Sequence, residues 1–203
     1  MNLDLSYAMI VDGINETLEI QDEIYYSRPG NISSSQFLTL AVNGNFPLAS
    51  WYTVNVYAQA SYAKFESQLY TEELNSSGIN VYASLNNSFT LKKGWKINVG
   101  GRYLGNQVYA QLWIKGYATM NCGIQKTLFK GKGSLRLSAN DLFYSRIGDG
   151  VINNLSQTRA DWNSTFDSRS VTIAFSMRFG KSNFNKNKHN GSGSESEQNR
   201  VKS

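Results

Sequence analysis

The feature that most constrains this chain is its rhythm of connections, short and long in strict alternation between runs of period-2 residues. Short, often basic turns fall at Phe46-Pro47-Leu48-Ala49-Ser50, Leu91-Lys92-Lys93-Gly94 and Lys130-Gly131-Lys132. Long polar segments rich in acidic residues separate the other runs, at about 12–35, 66–78, 105–112 and 144–168. A membrane-spanning β-barrel has this layout, with tight turns on its periplasmic side and longer loops outside.

Eight segments have the length and alternation of spanning strands, which need about 9–11 residues. They are 2–11, 36–46, 51–65, 79–91, 95–104, 113–128, 133–143 and 169–179. The fourth has the simplest pattern. Ile79, Val81, Ala83, Leu85, Phe89 and Leu91 occupy one face, against Asn80, Ser84, Asn86, Ser88 and Thr90 on the other. The apolar faces run longer than the usual strand of five or six residues. Aromatics also gather beside the short turns (Phe46, Trp51, Phe89, Trp95, Phe129 and Phe179), as in the interfacial girdle of a barrel. The fold class expected is all-β, an antiparallel up-and-down meander of about eight transmembrane strands over 1–180.

Composition agrees. Charged residues make up only 17% of 203, below the quarter typical of soluble domains, and Asn, Ser, Gly, Thr and Tyr fill the deficit. No window approaches the roughly 18 consecutive apolar residues of a spanning helix. The net charge of +5 is concentrated from residue 181 onward, where Lys181, Lys186, Lys188, Arg200 and Lys202 outnumber Glu195 and Glu197. The basic balance therefore belongs mostly to the tail and does not indicate nucleic acid. The tail itself, 181–203, is too polar to offset the entropy of ordering and is expected to be disordered.

Catalytic and metal-binding chemistry find little support. The single histidine, His189, lies in the tail, which removes a Ser-His-Asp arrangement from the body of the chain. One His and one Cys make a poor zinc site. Cys122 sits among apolar neighbours on the expected lipid face and is read as an ordinary apolar residue. Asp22-Glu23 and Glu72-Glu73 lack the spacing of a calcium loop and are read as solvated loop residues. The expectation is no enzyme, no cofactor and no metal. Lys92, Lys93, Lys96, Lys126, Lys130 and Lys132 cluster near the short turns, where lipid headgroups are the natural partner. Tyr25, Tyr26, Tyr70, Tyr109, Trp113, Tyr144 and Trp162 lie near the long segments, where they can stack on a nutrient, pack loops together or extend a girdle.

The C-terminal segment Ser170-Val171-Thr172-Ile173-Ala174-Phe175-Ser176-Met177-Arg178-Phe179-Gly180-Lys181, with the Asn/Lys/Glu tail after it, resembles the end of a known family. So do Asn140-Asp141-Leu142-Phe143, Ile24-Tyr25-Tyr26-Ser27-Arg28-Pro29-Gly30-Asn31, and Phe46-Pro47-Leu48 leading into Trp51. These are the Bacteroidetes-type outer-membrane β-barrel proteins related to TonB-dependent receptors. The resemblance implies the C-terminal part of a barrel in a bacterial outer membrane, contributing to uptake of an unidentified nutrient. Its implied partners are outer-membrane lipid and the TonB energy-coupling complex, the latter through an N-terminal plug that these residues do not include. Plugged transporters have about 22 strands, so the chain is expected to be a fragment of such a wall. The alternative is a self-contained eight-stranded barrel with an anchoring or adhesive role.

Overall fold

The computed structural model describes residues 1–179 apart from 23, 71, 156 and 157, and for 154, 155, 158 and 159 the backbone alone. The expected disorder of 181–203, and His189 with it, lies outside the described residues.

Among the described residues twelve strands follow in chain order: β1 (Asn2–Gln21), β2 (Ile24–Ala49), β3 (Tyr52–Leu69), β4 (Glu72–Leu91), β5 (Trp95–Leu104), β6 (Gln107–Tyr109), β7 (Leu112–Ile114), β8 (Tyr117–Leu128), β9 (Gly133–Asn140), β10 (Ile147–Leu155), β11 (Thr158–Thr165) and β12 (Ser170–Met177). Eight of them form one antiparallel sheet in the order β1-β2-β3-β4-β5-β8-β9-β12, the wall. The other four form a second sheet, β11-β10-β7-β6, the cap. No described helix is long and apolar enough to cross a membrane, which leaves crossing by strands open.

The eight expected segments are the eight wall strands, so the meander stands. The long loops do not. The described residues of segments 12–35 and 66–78 are almost all strand, with Gln21 paired to Ile24 and Leu69 paired to Glu72. Segment 105–112 holds β6, and 144–168 holds β10 and β11. The expected sixth strand, 113–128, divides into the end of β7 and all of β8. Pro47 and Leu48, read as turn, lie in β2, which carries a register shift between Pro47 and Ala49.

Register shows how the wall separates two environments. Directly opposed residues share a face. One row across the sheet reads Tyr52, Phe89, Ile97, Ile124, Leu137 and Ile173. The next reads Thr53, Ser88, Asn98, Gly123, Ser138 and Thr172. The apolar face is left uncovered: Leu5, Leu40, Ile79, Leu137 and Ile173 are all exposed, Ile173 to 72%. Uncovered apolar surface on this scale marks a membrane or partner surface.

Polarity inverts partway up the strands. Below Tyr62, β3 sends Val56, Ala58 and Ala60 to the apolar face, with Asn55, Gln59 and Ser61 opposite. Above it, Lys64, Glu66 and Gln68 take the outer positions, and Lys64 Nζ meets Glu66 Oε1 at 2.8 Å. Ala63, Phe65 and Leu69 now point inward and are buried. The inversion is what a strand requires when it leaves lipid: its outer face meets water, and its inner face becomes free to build a core. That core consists of Ile32, Ala63, Phe65, Leu69 and Leu74 from the wall, with Val108 and Ala110 from the cap.

At the short-turn end, Tyr52 stacks on Phe89 at 4.7 Å, and Trp51 lies 6.1 Å from the same ring. Lys126 Nζ sits 4.7 Å from the centre of Trp95 and donates to the Lys93 carbonyl. Aromatic rings beside ammonium groups form the expected interfacial band.

Candidate functional site

The polar face and the cap above it make up the candidate site. The face is built from short side chains that hydrogen-bond to one another along its rows. Asn45 Nδ2 donates to Asn55 Oδ1 at 2.5 Å, Ser88 Oγ to Asn98 Oδ1 at 3.0 Å, and Thr39 and Ser61 share a bond of 2.7 Å. Asn55, Asn86, Gly100 and Asn121 stand in one register row. A groove of about 510 Å³ runs over this face, with Asn86, Asn98, Asn121, Arg136 and Ser138 among its walls. Cys122 pairs with Val99 and Ala139 in an apolar-face row, where the sequence puts it, and is half-buried.

The cap is fastened to the wall by side chains that imitate backbone. Gln111 Oε1 accepts from the Leu18 amide at 2.8 Å, and its Nε2 donates to the Leu18 carbonyl at 2.9 Å. Asn80 treats Val108 in the same way, accepting from its amide at 2.7 Å and donating to its carbonyl at 3.2 Å. Ser76 Oγ donates to the Ala110 carbonyl, and Tyr109 Oη donates to Asn15 Oδ1, both at 2.6 Å. Both backbone groups of Leu18 therefore have partners on the side that β2 does not serve, which blunts one edge of the wall.

Asp141 organises the connection after β9. It is 3% exposed. Its carboxylate accepts from the Ser145 amide at 3.0 Å, the Arg146 amide at 3.2 Å and Ser168 Oγ at 2.5 Å. Burial pushes its carboxyl up, but bonds from Ser168, the Ser145 and Arg146 amides and the Ser145 hydroxyl outweigh burial and hold it below the ordinary carboxylate value. The backbone of Asp141 is left-handed at φ 45°, so the residue ends β9 and anchors the next turn. The sequence flagged it only within Asn140-Asp141-Leu142-Phe143. The serines at 145 and 168 that complete the node are far apart in the chain.

The aromatic candidates separate into two groups. Tyr109 packs edge-on against Phe65 at 5.7 Å, Tyr70 shares a hydrogen bond of 2.6 Å with Thr17, and Tyr144 lies beneath the Arg169 guanidinium at 5.0 Å. These join layers of the protein. Tyr25 and Tyr26 are exposed on β2. Trp113 and Trp162 come together in the cap, lining one pocket of about 500 Å³. Among the described residues, no three His, Cys, Asp or Glu side chains are grouped to hold a metal.

A wall with one apolar and one polar face, girdled by aromatics, is the signature of an outer-membrane barrel. Comparison with protein families agrees: the model of the outer membrane protein beta-barrel family matches residues 1–178. The chain belongs to that family. As a member of the outer membrane protein beta-barrel family it resides in the bacterial outer membrane, its apolar face toward lipid. The short turns of such barrels are periplasmic and the long hairpins extracellular; the cap lies at the long-hairpin end of this wall. No curated protein and no solved structure shows significant similarity to the chain.

Proposed function

We propose that this wall belongs to a TonB-dependent receptor-like barrel that takes up a nutrient. The observation that carries the reading is an eight-stranded sheet whose outer strands, β1 and β12, each pair on one side only among the described residues, with a polar face of small side chains. A closed barrel of eight strands has a lumen just wide enough for side chains to fill. Rows of Asn, Ser, Thr and Gly underfill so narrow a bore and suit the wall of a wide one. Unpaired amides in lipid cost several kcal/mol each, so further strands must meet β1 and β12 within the membrane. The wide barrel would engage a plug and the TonB energy-coupling complex, and the protein would perform no catalysis of its own.

The test compares a deletion of the gene with a deletion of the energy-coupling protein, across single nutrients supplied at limiting concentration. At least one nutrient should limit growth in both strains alike. If no defect is shared and attachment to surfaces is lost instead, the protein is a self-contained anchoring or adhesive barrel.

A further inference from the structure

We infer that the cap pocket between β6, β7, β10 and β11 is a saccharide-binding site with Trp162 as its stacking platform. The inference deepens the uptake reading and rests on it for the site's role. The binding itself rests on the pocket.

The pocket lies within the size range of small-molecule sites. Register places Gln107, Ile114, Gly150 and Trp162 in one row across the four cap strands, and all four line it. The local sequence Gly148-Asp149-Gly150 explains how the indole is held. A β-carbon at Gly150 would stand 2.4 Å from Trp162 Nε1 and 2.6 Å from Cε2, and one at Gly148 would stand 3.1 Å from Cζ3. The ring therefore lies along β10, over the two positions where the strand lacks side chains. Glycine within a strand often marks such a close approach.

This placement has a cost. Trp162 Nε1 is a buried donor with no hydrogen-bond partner among the described residues. An unmade bond of this kind is unfavourable, and a structural role alone would be served by an apolar ring. What the arrangement achieves is a fixed aromatic face bordering a pocket. Gln107, in the same register row and so on the same face as Trp162, is held beside it by bonds from its Nε2 to the Val81 and Gly105 carbonyls at 3.3 and 3.0 Å. Asp149, Asn163 and Lys115 form a polar cluster in the next row, on the other face of the cap: Asn163 Nδ2 donates to Asp149 Oδ1, and Lys115 Nζ lies 3.8 Å from Asp149 Oδ2.

A sugar ring fits this combination. Its axial C–H groups carry partial positive charge and settle on the negative face of an aromatic ring, while its hydroxyls donate to an amide oxygen and accept from an amide N–H such as those of Gln107. The pocket lies at the long-hairpin end, where extracellular saccharide would first meet such a barrel.

The experiment uses the whole barrel, with the strands that meet β1 and β12, in detergent micelles and follows tryptophan fluorescence during titration with maltotriose, cellotriose, xylotriose and mannotriose. At least one should give a saturable change. Trp162→Ala and Gly150→Val should weaken it at least tenfold, and Trp51→Phe at the periplasmic girdle should leave it unchanged. Heat-modifiable mobility on gels reports whether each variant is folded. If Trp162→Ala does not fold, Trp162→Phe and Gln107→Ala replace it, each expected to weaken binding several-fold. No saturable change with any of the four sugars overturns the inference, as does a change that survives these substitutions, or saturation by tetramethylammonium in place of sugar. Binding without any shared growth defect would uphold the site and reject the uptake reading.

Discussion

Gln111 holds both the amide and the carbonyl of Leu18, across 93 residues of sequence, with its Oε1 and Nε2 at 2.8 and 2.9 Å. A single side chain thus completes the edge of β1 where no strand does, and ties the cap to the first hairpin. Gln111→Leu keeps much of the volume and removes both bonds. The expected cost is about 1–2 kcal/mol of local stability. Hydrogen exchange should show faster exchange in peptides covering Leu18 and residues 107–114, with the wall strands unchanged.

Phe65 is the largest fully buried side chain among the described residues, meeting Phe37 at 5.6 Å and Tyr109 at 5.7 Å. Its truncation to Ala leaves a cavity where cap and wall join, at a cost of about 3–5 kcal/mol. Because this core joins cap and wall beyond the apolar-faced part of the sheet, the loss should be confined to that layer. Limited proteolysis should cut Phe65→Ala within 105–116 far faster than the parent, while heat-modifiable mobility persists.

Leu137 and Ser138 are neighbours in β9 with opposite surroundings. Leu137 opposes Ile124 and Ile173 in an apolar row, and Ser138 opposes Gly123 and Thr172 in a polar one. Arginine on the lipid face near the midplane costs about 2–4 kcal/mol. Leu137→Arg should therefore lower the yield of assembled protein in outer-membrane fractions, and Ser138→Arg should leave it close to the parent.

The Asp141 node predicts a pH dependence with a definite sign. Its carboxyl is held below the ordinary value, so its contribution is fully present above about pH 4 and is lost as the pH falls through the depressed value. Asp141→Asn should be less stable than the parent at pH 7, by about 1 kcal/mol on the scale of a hydrogen-bonded group. The difference should shrink below about pH 4. Urea midpoints of the two proteins, measured from pH 7 to pH 3, check both the size and the direction.

The wall is legible in the sequence because lipid imposes one rule on every spanning residue. Alternation such as Ile79, Val81, Ala83 and Leu85 against Asn80, Ser84 and Asn86 survives even where strand ends move by several residues. The extensions of the long hairpins are hidden because the same strands reverse their polarity near Tyr62. Lys64 and Glu66 on one face, with Ser67 interrupting Phe65 and Leu69 on the other, read as a loop when the lipid pattern is carried upward. The hairpin tips conceal themselves too. Asp22, Tyr70 and Ala110 adopt positive φ (51°, 56° and 49°) without the Asn-Gly or Asp-Gly pairs that announce such turns. Trp113 and Trp162 are visible as aromatics near polar segments, but only the pairing of β7 with β10 brings them to one pocket. Gly148 and Gly150 were the available signal, two residues without side chains flanking Asp149 in an alternating run.

The measurement that bears most directly on the wall as part of a wide barrel is the distance between its outer strands in the membrane. Spin labels at Ser6 on β1 and Thr172 on β12, introduced with Cys122 replaced by Ala, would be read by pulsed electron resonance in native outer-membrane vesicles. Neighbouring strands stand about 5 Å apart, so eight strands along an open arc place the two sites on the order of 30 Å apart. A distance near that value is the expected result. A narrow distribution at the shortest measurable distances would show β1 paired with β12 in a closed eight-stranded barrel, and would contradict it.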